Sequence, residues 1–104
     1  MRDFMKIVEG VGGKVGDFIS VKLNDPEADF WVVRRGTEGA VGTPTREFNP
    51  EHFGITVTSE ALLPDYLFYA LQYIHHQGYY KPLARGSIKL VGIRADDIKN
   101  IRLG

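Results

Sequence analysis

Basic and hydroxyl-bearing residues between positions 79 and 89 are the part of this chain best suited to binding a ligand. The segment contains Lys81, Arg85, Ser87 and Lys89, and a proline and a glycine within it are typical of a loop. Lysine and arginine bind phosphate oxygens, arginine also reads guanine edges, and a serine hydroxyl can hydrogen-bond to either. Lys81 and Lys89 are therefore candidate phosphate contacts, and Arg85 and Ser87 are candidate base contacts.

The distribution of charge sets this segment apart. The chain of 104 residues carries 13 lysines and arginines and 13 acids, so its formal net charge is zero. Positions 66 to 95, however, contain basic residues and no aspartate or glutamate. A neutral total argues against strong non-specific binding to polyanions, whereas an acid-free segment is expected to give one face a positive potential. A solvated loop whose tyrosines pack on the core explains the same composition.

A second candidate set lies earlier in the chain. Arg35 and Thr37 belong to the segment 34–39, whose glycines would let the backbone approach a ligand closely, and Arg46 follows. A tight turn between two strands accounts for this pattern equally well. Arg35, Thr37 and Arg46 are retained as a second set of candidate contacts.

The sequence patterns for two other kinds of site, a histidine metal site and a nuclease site, are weaker. His75 and His76 are neighbours, and adjacent residues on a helix point about 100° apart, so both cannot face one metal ion. We interpret them as a solvated or partner-facing pair. Asp65 together with Asp97 and Lys99 formally matches the acid-acid-lysine pattern of metal-dependent nucleases. A helix start and a helix cap explain the two acids as well, and we expect no catalytic residue and no metal site.

The remaining patterns exclude several classes of protein. The glycines between positions 10 and 16 have neither the dinucleotide-binding nor the P-loop spacing, so we expect a hairpin turn and no cofactor. The chain has no cysteine, which excludes a disulfide scaffold and a cysteine nucleophile. No apolar run approaches the ~18 residues of a membrane span, and the N-terminus lacks a signal-peptide pattern. We expect a cytoplasmic protein with no membrane partner.

Hydrophobic periodicity predicts strands followed by one long helix. Alternation and β-branched residues predict strands at 18–23, 30–34 and 53–58. Pro64, an apolar stripe and Gly78 predict a helix at about 64–77. A strand at 88–93 interrupted at Gly92, a single turn capped by Asp96 and Asp97, and a short closing strand complete the chain. The fold class is therefore α+β, a curved and mostly antiparallel β-sheet with one main helix, forming a single domain over 1–104.

The order of these pieces resembles a target recognition domain of the specificity subunits of type I restriction-modification systems. A strand ends in a Gly-x-x-Gly turn, a later strand leads to a Leu-Pro-x-Tyr-Leu helix, a Gly-Ser loop follows, and an Ile-Lys-x-Ile segment closes the chain. The similarity covers about residues 29–103. It is carried by Val32 to Gly39, Ile55 to Thr58, Leu63 to Leu71, Gly86 to Ile88, and Asp97 to Ile101.

This resemblance implies a function and partners. Such domains read one half of a bipartite duplex DNA target, and long helices in that family space two domains and dock methyltransferase subunits. The resemblance therefore implies a non-enzymatic DNA-binding module, with double-stranded DNA and a methyltransferase or other protein subunit as partners. The alternative is an accessory or antagonist protein that keeps this fold and binds another protein without binding DNA.

Overall fold

Short strands and two helices make up the described part of the chain. The structure is a computed structural model that describes residues 13–87 and 89–103. A turn of 3-10 helix at Val15–Asp17 comes first. The other elements, in chain order, are β1 (Ile19–Leu23), β2 (Phe30–Val32), β3 (Arg35–Gly36), β4 (Pro44–Thr45), β5 (Phe53–Val57), α1 (Pro64–His76), β6 (Arg85–Gly86), β7 (Val91–Gly92) and α2 (Ala95–Lys99).

The strands form two antiparallel sheets. The first has the order β1-β5-β2-β4, and the second has the order β3-β7-β6. The α+β class and the main helix are confirmed, whereas the prediction of one curved sheet is wrong. The chain changes sheets between two neighbouring residues. The Val33 N–H donates to the Thr43 carbonyl on the β4 side at 2.9 Å, and the next carbonyl, that of Arg34, accepts from the Ile93 N–H beyond β7 at 3.0 Å.

Helix α1 begins and ends as its sequence predicts. Pro64 occupies the first turn, where no intrahelical bond needs its missing N–H. Past the helix, Gly78 adopts a φ of 80°, its N–H donates to the His75 carbonyl at 3.0 Å, and the Tyr79 N–H donates to the Ile74 carbonyl at 3.4 Å. These two bonds form a Schellman motif, which satisfies carbonyls that the helix end leaves open.

One face of α1 packs on the first sheet. Of the predicted apolar stripe, Leu67, Ala70 and Leu71 are buried, and Ile74 is partly buried against the core. Phe68 is buried as well, and its ring meets that of Phe30 in β2 edge to face, with the ring centroids 5.3 Å apart. Within the described residues, no helix is long and apolar enough to cross a membrane.

The C-terminal segment differs from the prediction. Ile98 lies buried in α2, and the predicted closing strand is replaced by a single bridge between Arg102 and Lys14. Asp97 caps α2, because its carboxylate accepts the Arg94 N–H at 2.7 Å. The predicted strand at 88–93 is also shorter, since the strand covers only Val91–Gly92, and Ile88 lies outside the described residues. The predicted glycine hairpin lies mostly outside them too.

A buried tyrosine fixes the loop between β3 and β4. Tyr80 is only 2% exposed, and its ring packs directly on the α-carbon of Gly42. A β-carbon at position 42 would lie 2.1 Å from Cδ2 of Tyr80, far inside van der Waals contact. Gly42 also has a φ of 87°, which side-chain-bearing residues rarely adopt. The close packing of Tyr80 therefore requires glycine at this position.

We expect Gly42→Ala to lower the free energy of unfolding by about 2–5 kcal/mol, the sum of left-handed backbone strain and overpacking. Urea unfolding followed by circular dichroism would measure the change. Gly39→Ala is the matched control in the same loop, because a β-carbon there meets no atom within 4 Å. Equal stability of the two variants would contradict the role assigned to the Tyr80 contact.

Candidate nucleic-acid interface

The second sheet brings together one arginine from each of the two predicted sets of contacts. In β3, Arg35 pairs with Gly92 of β7, and in β6, Arg85 pairs with the same glycine from the other side. Directly paired residues of antiparallel strands have their side chains on the same face. The two arginines, 50 positions apart in the sequence, therefore share one face of a three-stranded sheet.

Gly92 leaves the space between these arginines open. Two strand spacings place the Arg35 and Arg85 α-carbons about 10 Å apart. Gly92 has no side chain, and the Arg35 Cγ lies 3.5 Å from where a β-carbon of residue 92 would be, an ordinary contact distance. We call the outward surface formed by Arg35, Arg85, Gly92, Ser87 and Leu90 the arginine face.

The opposite side of the second sheet faces the core. Val91 is 8% exposed and lies in the hydrophobic core, paired with Gly36 on one side and Gly86 on the other. Both glycines have positive φ values, 154° and 143°. A β-carbon on Gly86 would lie 2.3 Å from the Leu90 carbonyl oxygen. The two Arg-Gly dipeptides thus have one pattern, an exposed arginine followed by a glycine that the pairing requires.

The turn between β6 and β7 uses the Ser87 hydroxyl. The Ser87 N–H donates to the Leu90 carbonyl at 3.0 Å, and the Leu90 N–H donates to Ser87 Oγ at 3.1 Å. Ser87 Oγ in turn lies 3.4 Å from the Leu90 carbonyl oxygen, as a donor to it. Much of the hydrogen-bonding capacity of Ser87 therefore stabilises the turn, although the residue is exposed. Lys89 lies exposed in this turn.

The arginines of the arginine face, and Lys89 in the turn beside it, are free to meet an anion. Within residues 13–87 and 89–103, no hydrogen bond or ion pair engages the side chains of Arg35, Arg85 or Lys89. All three residues are exposed. Unpaired, solvated guanidinium groups can meet an incoming phosphate without first breaking an internal salt bridge.

Arg46, predicted to belong to the second set, lies elsewhere. Its Nη1 donates to the Asp65 carboxylate at 3.0 Å, at the start of α1. Its guanidinium carbon lies 4.0 Å from the centre of the Phe68 ring, a cation–π contact. The structure therefore places Arg46 at the end of the first sheet, paired within the chain, and does not bring it to Arg35.

Lys81 lines a cleft at the C-terminal end of α1, and Thr37 lies in the turn after β3. The Thr37 carbonyl accepts the N–H groups of Ala40 and Val41, which closes the turn after β3, and Thr37 is exposed. The cleft has a volume of about 250 Å³, and Glu38 from this turn and Lys81 both line it. Lys81 therefore belongs to the wall of a cleft that Glu38 also lines, rather than to the paired strands.

His75 contacts the scaffold, whereas a solvated or partner-facing pair was predicted for His75 and His76. Its Nε2 lies 2.9 Å from the Gly39 carbonyl oxygen and 3.3 Å from Thr43 Oγ1. Because a carbonyl oxygen only accepts, Nε2 carries the proton and donates, so His75 links α1 to the loop between β3 and β4. His76 is exposed. In the described ranges, no group of three or more histidines and acids could hold a metal ion.

The tyrosines at 79 and 80 belong to the scaffold. The Tyr79 hydroxyl donates to the Asp97 carbonyl at 2.6 Å, and burial together with the Asp97 charge raises the Tyr79 pKa. Tyr80 is buried, its hydroxyl has no hydrogen-bond partner among the described residues, and burial raises its pKa strongly. Both phenols therefore stay neutral and packed, as the alternative interpretation of this segment held.

The carboxylates of the nuclease-like pattern have structural partners. Asp65 pairs with Arg46, and Asp97 caps α2 through the Arg94 N–H. These contacts match the helix-start and helix-cap interpretation of the two acids. Among the candidate sites in the described residues, the arginine face is therefore the one best suited to contact a ligand.

Sequence reasoning missed two residues of this face. Gly92 was predicted only to interrupt a strand, and Leu90, which is 52% exposed, was not singled out. One signal could have indicated the pairing. The tripeptides Arg35-Gly36-Thr37 and Arg85-Gly86-Ser87 have the same pattern of a cation, a glycine and a hydroxyl residue.

Compared with protein-family models, with curated proteins and with solved structures, the chain matches none of them. The likeness to target recognition domains is therefore carried by the order of short motifs alone.

Proposed function

We propose that this protein is a non-enzymatic module that binds double-stranded DNA through the arginine face, in the manner of a target recognition domain of a restriction-modification system. The observation that carries the proposal is the pairing of Arg35 and Arg85 on either side of Gly92. These two arginines come from contact sets inferred separately from the sequence, and no internal ion pair engages either of them in the described residues.

The shape of the site favours duplex DNA. The major groove is about 12 Å wide and admits a two-stranded β-ribbon. Strands β6 and β7 are an antiparallel pair of this kind, with β3 on the other side of β7. Lys89 lies in the turn, where it would contact phosphate oxygens. Arg85 lies on the ribbon, where it would reach a guanine edge, and Arg35 on the neighbouring strand would hold the backbone.

The neutral total charge is compatible with this proposal. Binding that depends on a few local cations is expected to be moderate and sensitive to salt. Each phosphate contact contributes about −0.9 to the slope of log K against log salt concentration for duplex DNA. A small number of contacts therefore predicts a shallow but measurable slope.

We expect Arg85→Ala and Arg35→Ala each to weaken binding to a duplex about tenfold, because each removes a contact expected to be worth on the order of 1–3 kcal/mol. Fluorescence anisotropy with a labelled duplex at several salt concentrations would measure affinity and slope. Arg35→Ala, as the phosphate contact, should also reduce the slope by about one unit.

Arg46→Ala is the matched control, since it removes the same charge from a residue engaged with Asp65 and Phe68. The affinity of this variant for the duplex should stay within about twofold of that of the unmodified protein. If Arg46→Ala weakened binding as much as Arg85→Ala, the DNA site would lie elsewhere. No binding of the unmodified protein to a random duplex pool would contradict the proposed function.

Position 92 offers a second test of the same geometry. We expect Gly92→Asp to abolish duplex binding while the protein stays folded, because it places a carboxylate between the two guanidinium groups. Gly92→Ala is the control, since its β-carbon would make only ordinary contacts of 3.5 Å and would add no charge. Anisotropy and circular dichroism on both variants would separate loss of binding from loss of fold. Duplex binding retained by Gly92→Asp would exclude the arginine face.

Helix α1 favours the alternative, a protein-binding function. Tyr66, Tyr69 and Tyr73 follow one another at i, i+3 and i+7, and they are 43%, 56% and 40% exposed. The solvent face of a helix normally carries charges, whereas tyrosine is enriched in protein interfaces. A methyltransferase subunit or another protein partner would pack on this tyrosine stripe.

A photo-crosslinking side chain placed at position 69 or 73 tests this candidate. In the cells of origin, we expect either position to capture one discrete protein, because both point away from the core. The same group at Leu23, exposed on β1, is the control and should capture none. Equal capture from all three positions would reject the tyrosine stripe as an interface.

A further inference from the structure

Leu90 is an exposed apolar side chain within an otherwise polar and basic surface. It is 52% exposed and lies two residues before Gly92, on the arginine face. Residues two apart on an extended strand point to the same side, and the Ser87 N–H bond to the Leu90 carbonyl continues the ladder to this position. Leu90 and Arg85 therefore face the same direction.

The surroundings of Leu90 indicate a role for this exposed side chain. Single exposed leucines are common and need no explanation by themselves. This one, however, lies at the end of the β6–β7 ribbon that the proposed function inserts into a groove, with Arg85 on the facing strand and Lys89 beside it in the turn. In the DNA major groove, one apolar group projects from the base pairs, the C5-methyl group of thymine.

We infer that Leu90 reads the methyl group of a thymine next to a guanine bound by Arg85. This inference rests on the proposed function and adds a sequence preference to it. Arg85 would donate two hydrogen bonds to O6 and N7 of guanine, and Leu90 would exclude water from the thymine methyl group. The target half-site should therefore contain adjacent guanine and thymine, on either strand, at the position that the ribbon contacts.

The first test changes the DNA rather than the protein, by removing single thymine methyl groups. Duplexes that bind the unmodified protein are first selected from a random pool. In the tightest binder, each thymine is then replaced singly by deoxyuridine, which lacks only the methyl group. We expect one or two replacements to weaken binding about three- to fourfold, the amount for one buried methyl-sized group. All other replacements should leave the affinity unchanged.

Two leucine variants complete the experiment. Leu90→Ser should bind the selected duplex about three- to fourfold more weakly and should no longer distinguish thymine from deoxyuridine. Leu23→Ser changes a leucine that is 48% exposed in the first sheet, and it should retain both affinity and discrimination. Circular dichroism would check that each variant is folded. The deoxyuridine series on the unmodified protein tests the inference even if Leu90→Ser does not fold.

The outcomes separate this inference from the proposed function. If Leu90→Ser no longer distinguishes thymine from deoxyuridine while Leu23→Ser still does, the result supports the role of Leu90. If the duplex binds but no single deoxyuridine weakens binding, or if Leu90→Ser discriminates as well as the unmodified protein, Leu90 does not read thymine and DNA binding stands. If no duplex is selected at all, both the proposed function and this inference are overturned.

Discussion

The candidate site depends on one pairing, that of Val91–Gly92 with an Arg-Gly dipeptide on each side. Val91 anchors the small sheet because its side chain is buried in the core. Gly92 leaves the outward side empty, so the flanking arginines stand beside an open space rather than beside a third side chain. Since a two-residue strand has few backbone bonds, the burial of Val91 carries much of the stability of this sheet.

The loop between β3 and β4 holds β3 in position for that pairing. His75 donates to the Gly39 carbonyl from α1, and Tyr80, just beyond α1, packs on Gly42. The same end of the helix is fixed by the Schellman motif at Gly78. The helix C-terminus therefore positions both edges of the arginine face, because Gly39 follows β3 closely and Tyr80 precedes β6. A rigid support of this kind is what a recognition surface requires.

Local signals explain which parts of this fold could be predicted. Helix α1 has a proline start, an apolar stripe and a glycine end, and the prediction agrees with Pro64–His76 almost to the residue. The strands β1 and β5 are five residues long, enough for alternation to be visible. The two-residue strands β3, β6 and β7 are too short to show a period. The second sheet was therefore missed, although Arg35 and Arg85 were both chosen as candidate contacts.

The positions of the acids reconcile a neutral chain with a basic face. Many of them accept backbone or arginine donors at fixed points of the scaffold. Asp17 and Asp97 accept backbone N–H groups at helix starts. Asp29 accepts the Val57 N–H at the end of β5. Glu51 and Asp65 form ion pairs with arginines that lie outside the arginine face. Glu38 lines the same cleft as Lys81. Net charge sums over the whole chain, so it does not describe the local potential that Arg35, Arg85 and Lys89 present to a ligand. The local arrangement, rather than the total, decides whether this surface attracts phosphate.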